Sequence, residues 1–198
     1  MKQGVTRQIY ASYDDEGITV YQAYKPEIAQ AALRKGRFAE GFGFDRMTWI
    51  KPSFGWMLYR SGYATKPNQE SILKIKLAHA GWRAILHQSV ESVYVPEQYA
   101  DENAWKRALA QSEVRHQWDP ERQINGHKLE RRAIQVGISG QTVRAYVDQW
   151  IIRLEDVTAL AHAIHDAVSN QRPLPDVPEE RLYPVDADLQ TRLGITET

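Results

Sequence analysis

Residues 71–87 read SILKIKLAHAGWRAILH, and a change of rhythm inside this stretch sets the fold class. Over 72–77, Ile72, Lys74 and Lys76 fall on one face and Leu73, Ile75 and Leu77 on the other. That is the two-residue period of a strand with one wet side. The alternation then stops, and the spacing predicts a helix through His87. Strands and helices mix in this way along the whole chain without a regular βαβ rhythm. The expectation is an α+β fold: a single mixed domain with a central antiparallel or mixed sheet and flanking helices.

Towards the N-terminus, residues 6–13 and 18–23 read as strands around Asp14-Asp15-Glu16-Gly17, a turn-forming cluster, which predicts a hairpin. Those three acidic side chains fit a solvated turn better than a cation site. Pro26 suits the first position of a helix to about Lys35, and Gly36 is placed to end it. Pro52 is expected to open a short helix through about Arg60, with Gly62 as its stop. On the other side, Asp101 is a good N-cap for a helix to about Ser112. Residues 115–118, 133–138 and 150–154 read as strands, the first ending before Pro120. Ser139 and Asp156 are placed to cap helices over 141–148 and 157–169.

Composition shifts after Asn170. Residues 1–170 read as a compact α+β domain and 171–198 as an acidic extension rich in proline: Pro173, Pro175, Pro178 and Pro184 break any long element. Its acidic residues are Asp176, Glu179, Glu180, Asp186, Asp188 and Glu197. The extension either packs on the domain as extended chain, with Leu182 and Tyr183 as anchors, or is partly disordered.

The 198 residues carry 25 basic and 25 acidic side chains and no cysteine. Disulfides and thiolate metal sites are therefore excluded. The zero net charge argues against a coat for long duplex DNA. No apolar run approaches the roughly 18 residues that span a bilayer, and the first residues lack the apolar core of a secretory signal. A cytoplasmic protein without a membrane partner is the expectation. His162 and His165 lie three apart on a predicted helix, but no third ligand is evident, so no metal site is assigned.

Charge is uneven, however. Residues 46–66, RMTWIKPSFGWMLYRSGYATK, hold Arg46, Lys51, Arg60 and Lys66 and no acidic residue. Arginine offers a planar fork of donors to phosphate or carboxylate; lysine offers a mobile point charge. Trp49 and Trp56 can stack on a base or nicotinamide ring. A helix starting at Pro52 would aim free N–H groups at an anion near Lys51 and Ser53. The segment is thus a candidate site for a phosphate-bearing ligand. The same residues also suit a buried aromatic face rimmed by solvated cations. Asp119 or Glu121, in a polar cluster around Pro120, would serve as a general base if that loop closed on the basic segment.

The strings VYQAY (20–24), RMTWIKPSFGWMLYRSG (46–62), RAIQVGISG (132–140) and WIIRLEDVT (150–158) resemble the domain-of-unknown-function family 4291, from about Arg7 to Tyr183. The resemblance implies a compact intracellular domain and supplies no established activity. The layout also loosely resembles that of ADP-ribosyltransferases. On that pattern Arg7 would hold a phosphate, Tyr21 or Trp49 would pack on nicotinamide, and Gln135 or Glu130 would take the late polar position, with NAD as the cofactor. No acidic residue lies inside 133–138, where such a transferase usually carries its glutamate. Two alternatives stand beside this one. In an RNA or single-strand binding module, Lys74 and Lys76 would join the basic track. In a non-catalytic interaction domain, the acidic tail would cover the basic segment.

Overall fold

The computed structural model describes residues 6–196. It is an α+β architecture in which two sheets carry the body. In the first, β2 (Gly17–Tyr24) and β8 (Ile151–Asp156) both pair antiparallel with β4 (Ser71–Ala78), which is therefore central. The second contains β3 (Thr48–Ile50), β5 (Val90–Glu91), β6 (Val114–Arg122) and β7 (Lys128–Ile138), in the order β3-β7-β6-β5. Only the β5–β6 pairing is parallel. The two sheets meet where Tyr21 and Lys51 exchange main-chain bonds, Tyr21 N to Lys51 O at 2.7 Å and Lys51 N to Tyr21 O at 3.2 Å.

A central position changes what β4 can expose. Lys76 is 8% exposed and ion-paired with Asp14, and Lys74 pairs with Glu155 at 3.1 Å. The wet side expected over 72–77 is therefore covered by β8 and by the Asp14 turn, which bring acidic partners.

The expected strand over 6–13 shrinks to β1 (Tyr10–Ala11), because its partner is the distant β9 (Arg181–Leu182) and not β2. A single Tyr13–Ile18 bridge spans the Asp14 turn. Pro120 does not end β6; a register shift between Pro120 and Arg122 absorbs it, as a bulge does.

Helix α1 (Pro26–Lys35) runs as its proline and glycine signals require, and Gly36 takes φ 69°. Helix α2 (Phe54–Ser61) starts two residues after Pro52, since Ser53 is the N-cap and its Oγ accepts from Trp56 N at 3.1 Å. Helices α3 (His79–Gln88) and α4 (Glu102–Gln111) follow, the latter capped by Asp101. The predicted 141–148 helix is split into α5 (Gly140–Ala145) and a π-helical turn, Tyr146–Trp150. Glu113, not Ser139, caps it, taking Gln141 N at 3.0 Å and Thr142 N at 2.9 Å. Helix α6 (Thr158–Ser169) closes the body.

The main core gathers Trp82, Tyr146, Phe38, Ile75 and Val136 between the sheets and α1 and α3. A smaller cluster packs Phe54, Met57 and Leu58 of α2 on Ile72 of β4 and on Ala161 and Ile164 of α6. The acidic extension is built into this body. It ends in α7 (Ala187–Leu193), capped by Asp186, and buries Tyr183, Leu189 and Leu193 in the main core. Leu182 stays 46% exposed, so of the two expected anchors Tyr183 alone is buried. Glu197 lies outside the described residues. No helix among the described residues is long and apolar enough to cross a membrane.

Candidate functional site

Strand alternation assembles the site. Trp49 and Lys51 are two apart at the edge of the second sheet and share a face. Gln135 lies two residues from Gly137, which pairs with Trp49, and Gln117 pairs with Gln135. A cleft of about 520 Å³ opens over that face. Arg46, Trp49, Lys51, Arg60, Gln117 and Gln135 line it, with Met57 of α2 and Asn68 of the following loop.

Gly137 makes room for the indole. A Cβ there would come within 2.9 Å of Trp49 Cε2 and 2.6 Å of Met47 Sδ. Beneath the cleft a buried network holds the floor rigid. Gln22 donates through Nε2 to Tyr24 Oη at 2.9 Å and Thr48 Oγ1 at 2.7 Å, and accepts from Tyr146 Oη at 2.8 Å. Asp119 accepts from Gln117 Nε2 at 2.8 Å and Gln135 Nε2 at 2.5 Å. Gln135 is thereby fixed in orientation by a carboxylate that is part of a strand, not of the mobile loop expected around Pro120.

Among the described residues, Arg46, Lys51 and Arg60 form no ion pair, and neither guanidinium donates a hydrogen bond. Lys51 is 7% exposed, its Nζ 3.4 Å from Trp49 O and 5.1 Å from the centre of the Trp56 ring. Burial first, and then the nearby Arg60 charge, push its ammonium down to about 7, with Asp119 acting the other way.

The remaining predicted residues stand elsewhere. Arg7 pairs with Glu91 at 3.1 Å and hydrogen-bonds Thr196, outside the cleft. Ser53 is spent as a cap and donates to Glu121 Oε1 at 2.6 Å. The anion position at the α2 N-terminus is filled: Glu180, from the acidic extension, accepts from Phe54 N at 2.6 Å. The protein's own carboxyl occupies the position where a ligand phosphate was expected. Trp56 is 8% exposed and supports Lys51 from below, so it offers no stacking face. Lys66 folds back to donate to Arg60 O at 2.9 Å. Tyr21 is 1% exposed, stacked on Phe54, with a hydroxyl that has no hydrogen-bond partner among the described residues. Burial pushes that phenol further up, away from any acid–base role near neutrality. Glu130 is exposed on β7 and does not line the cleft.

Glu180 and Glu121 face the same helix end. Burial raises both carboxyls, Glu180 to about 8, where the nearby Glu121 adds to its difficulty in ionising. Gln22, Thr48, Gln117 and Asn68 were not singled out by the sequence reading. The alternation of β2 and β6 puts Gln22 and Gln117 on definite faces, but nothing local says that those faces meet.

The RMTWIKPS string thus marks a built feature, the edge strand and lysine of a cationic cleft. No curated protein matches the chain. The family model described as Domain of unknown function (DUF4291) matches residues 8–183, most of the length, so the chain belongs to that family.

Proposed function

We propose that the cleft binds a phosphate-bearing ligand of nucleotide size, with Arg46 and Arg60 on the phosphates and Trp49 against the ring. One observation carries this reading. Three cations, none of them ion-paired among the described residues, line one cavity whose wall is an indole. Leaving charges without partners is unfavourable unless solvent or a ligand completes them. The volume of about 520 Å³ lies in the range of small-molecule sites.

A nucleotide- or NAD-using transferase remains the enzymatic form of this proposal. The site lacks the glutamate of an ADP-ribosyltransferase-like layout. Asp119, anchored by Gln117 and Gln135, is the carboxylate nearest that role. The RNA alternative draws less support. Lys74 and Lys76 are each ion-paired on the other sheet, and Lys66 is tied to a carbonyl, so a long basic track is missing.

Titration calorimetry with ATP, ADP-ribose and NAD tests the proposal. At least one should bind, and Arg60→Gln should weaken it roughly tenfold or more, since a charged hydrogen bond contributes about 1.5–3 kcal/mol. Trp49→Ala should cost about 1–3 kcal/mol of stacking. Absence of binding by all three at millimolar concentration would remove the nucleotide reading. A short RNA that binds with steep salt dependence while the three do not would favour the alternative.

A further inference from the structure

Lys51 differs from the lysines that serve this protein as surface charge. Its side chain is buried, and its only hydrogen bond is a long one to the Trp49 carbonyl. It has no ion-pair partner among the described residues, yet it lines the same cleft as Arg46 and Arg60. Its backbone cannot swing aside, because N and O are both bonded to Tyr21. Trp56 supports the stem from α2. The amine is therefore held at one place on the cleft wall by an arrangement that gives the charged form little in return.

Such an environment favours the neutral amine, whose nitrogen lone pair is then free to attack. The charged groups facing it are Arg60 from α2, which disfavours protonation, and Asp119 from β6, which opposes that effect. Asp119 is itself engaged by two glutamine amides, so it does not form an ion pair with Lys51.

We propose that Lys51 is a nucleophile that forms an imine with the aldehyde or ketone carbonyl of a phosphate-bearing ligand held in this cleft. The proposal rests on the phosphate-binding reading above and names the substrate class within it. The Nζ lone pair attacks the carbonyl carbon, and the carbonyl π pair moves to oxygen. The resulting carbinolamine loses that oxygen as water, using the two hydrogens of the amine, and the C=N bond forms. One water is released and no oxidant or reductant is needed.

Pyridoxal 5′-phosphate is the probe and pyridoxine 5′-phosphate, which lacks the aldehyde, its control. After borohydride reduction and peptide mass mapping, one adduct per chain is expected on Lys51, at concentrations that leave Lys74 and Lys76 unmodified. The rate of adduct formation should reach half its maximum near pH 7, the value to which the site brings this amine, and not near the ordinary lysine value of about 10.4. Lys51→Arg and Lys51→Met should abolish the adduct, and melting curves identify whichever variant is folded. The pH profile of the unaltered protein needs no variant at all. Adducts spread over surface lysines, or a half-maximum near pH 10, would overturn the proposal. If pyridoxine 5′-phosphate binds while Lys51 stays unmodified, the imine fails and the phosphate site stands. If neither compound binds, the imine proposal falls, and the nucleotide titrations alone decide the phosphate site.

Discussion

Glu180 shows how a single side chain decides what a helix end does. Its carboxyl sits on the Phe54 amide, at the helix end that Glu121 also faces, and burial raises it to about 8. Below its unfolded value near 4.5, the group is protonated in both folded and unfolded chains, and its contribution to stability is fully present. As pH rises from there towards 8, the unfolded chain ionises and the folded one does not, so that stability is lost. The Tm should therefore decline over this window, and Glu180→Gln should flatten the decline and melt several degrees higher near pH 8. Glu121, at the same helix end, is raised by its own burial and acts in the same direction. Lys51 has the opposite sign. Its lowered value makes stability rise with pH between about 7 and the ordinary lysine range, which leaves pH 5–7 as the window in which the carboxyls act alone. None of this is legible in the residue string. Glu180 and Phe54 are far apart in sequence, and a basic, serine-capped helix start looks vacant until the tail is placed on it.

At the scale of elements, two glycines locate the site. Gly137 lets the indole of Trp49 lie across β7, while a Cβ at Gly55 would overlap the Arg122 carbonyl, where α2 crosses β6. Gly137→Ala should displace Trp49 and Met47, weakening ligand binding roughly 5–150-fold, the equivalent of losing one stacked ring, and calorimetry reads this directly. Gly55→Ala meets backbone that cannot yield. It should cost about 1–3 kcal/mol and lower the Tm by roughly 2–12 °C. Helices with proline, aspartate or glycine boundaries were readable, as α1 and α4 show. What escaped was pairing. The partner of β1, the continuation of β6 through Pro120 and the covered lysines of β4 all depend on which strands lie alongside. Of the predicted binding residues, Arg46, Trp49, Lys51 and Arg60 come together because they are near in sequence: Arg46 just precedes β3, Trp49 and Lys51 share its face, and Arg60 is on the helix that follows. Arg7, from a distant segment that only bridges β7 at Arg132, does not join them.

For the molecule as a whole, the acidic extension is structural. Tyr183, Leu189 and Leu193 are each no more than 2% exposed and belong to the main core. The last two lie beyond residue 183, where the family match ends. Each buried side chain of this kind contributes about 1.5–3 kcal/mol. Deleting residues 171–198 should therefore remove much or all of a typical domain's stability. Urea unfolding of the truncated chain should lose its cooperative transition, and an unchanged midpoint would refute the assignment. The tail's composition suggested a cover with Tyr183 as an anchor, but Leu189 and Leu193, four apart on α7, were not singled out, because the prolines that precede them hide so short a helix.

The Arg7–Thr196 contact brings the two ends of the described chain together: Thr196 N donates to Arg7 O, and Arg7 N donates to Thr196 Oγ1, both at 3.0 Å. Packing order is thereby separable from genetic order. A gene rewritten so that a short linker joins these ends, with new termini between the exposed Pro96 and Glu97, would encode a circular permutant that retains the cationic cleft.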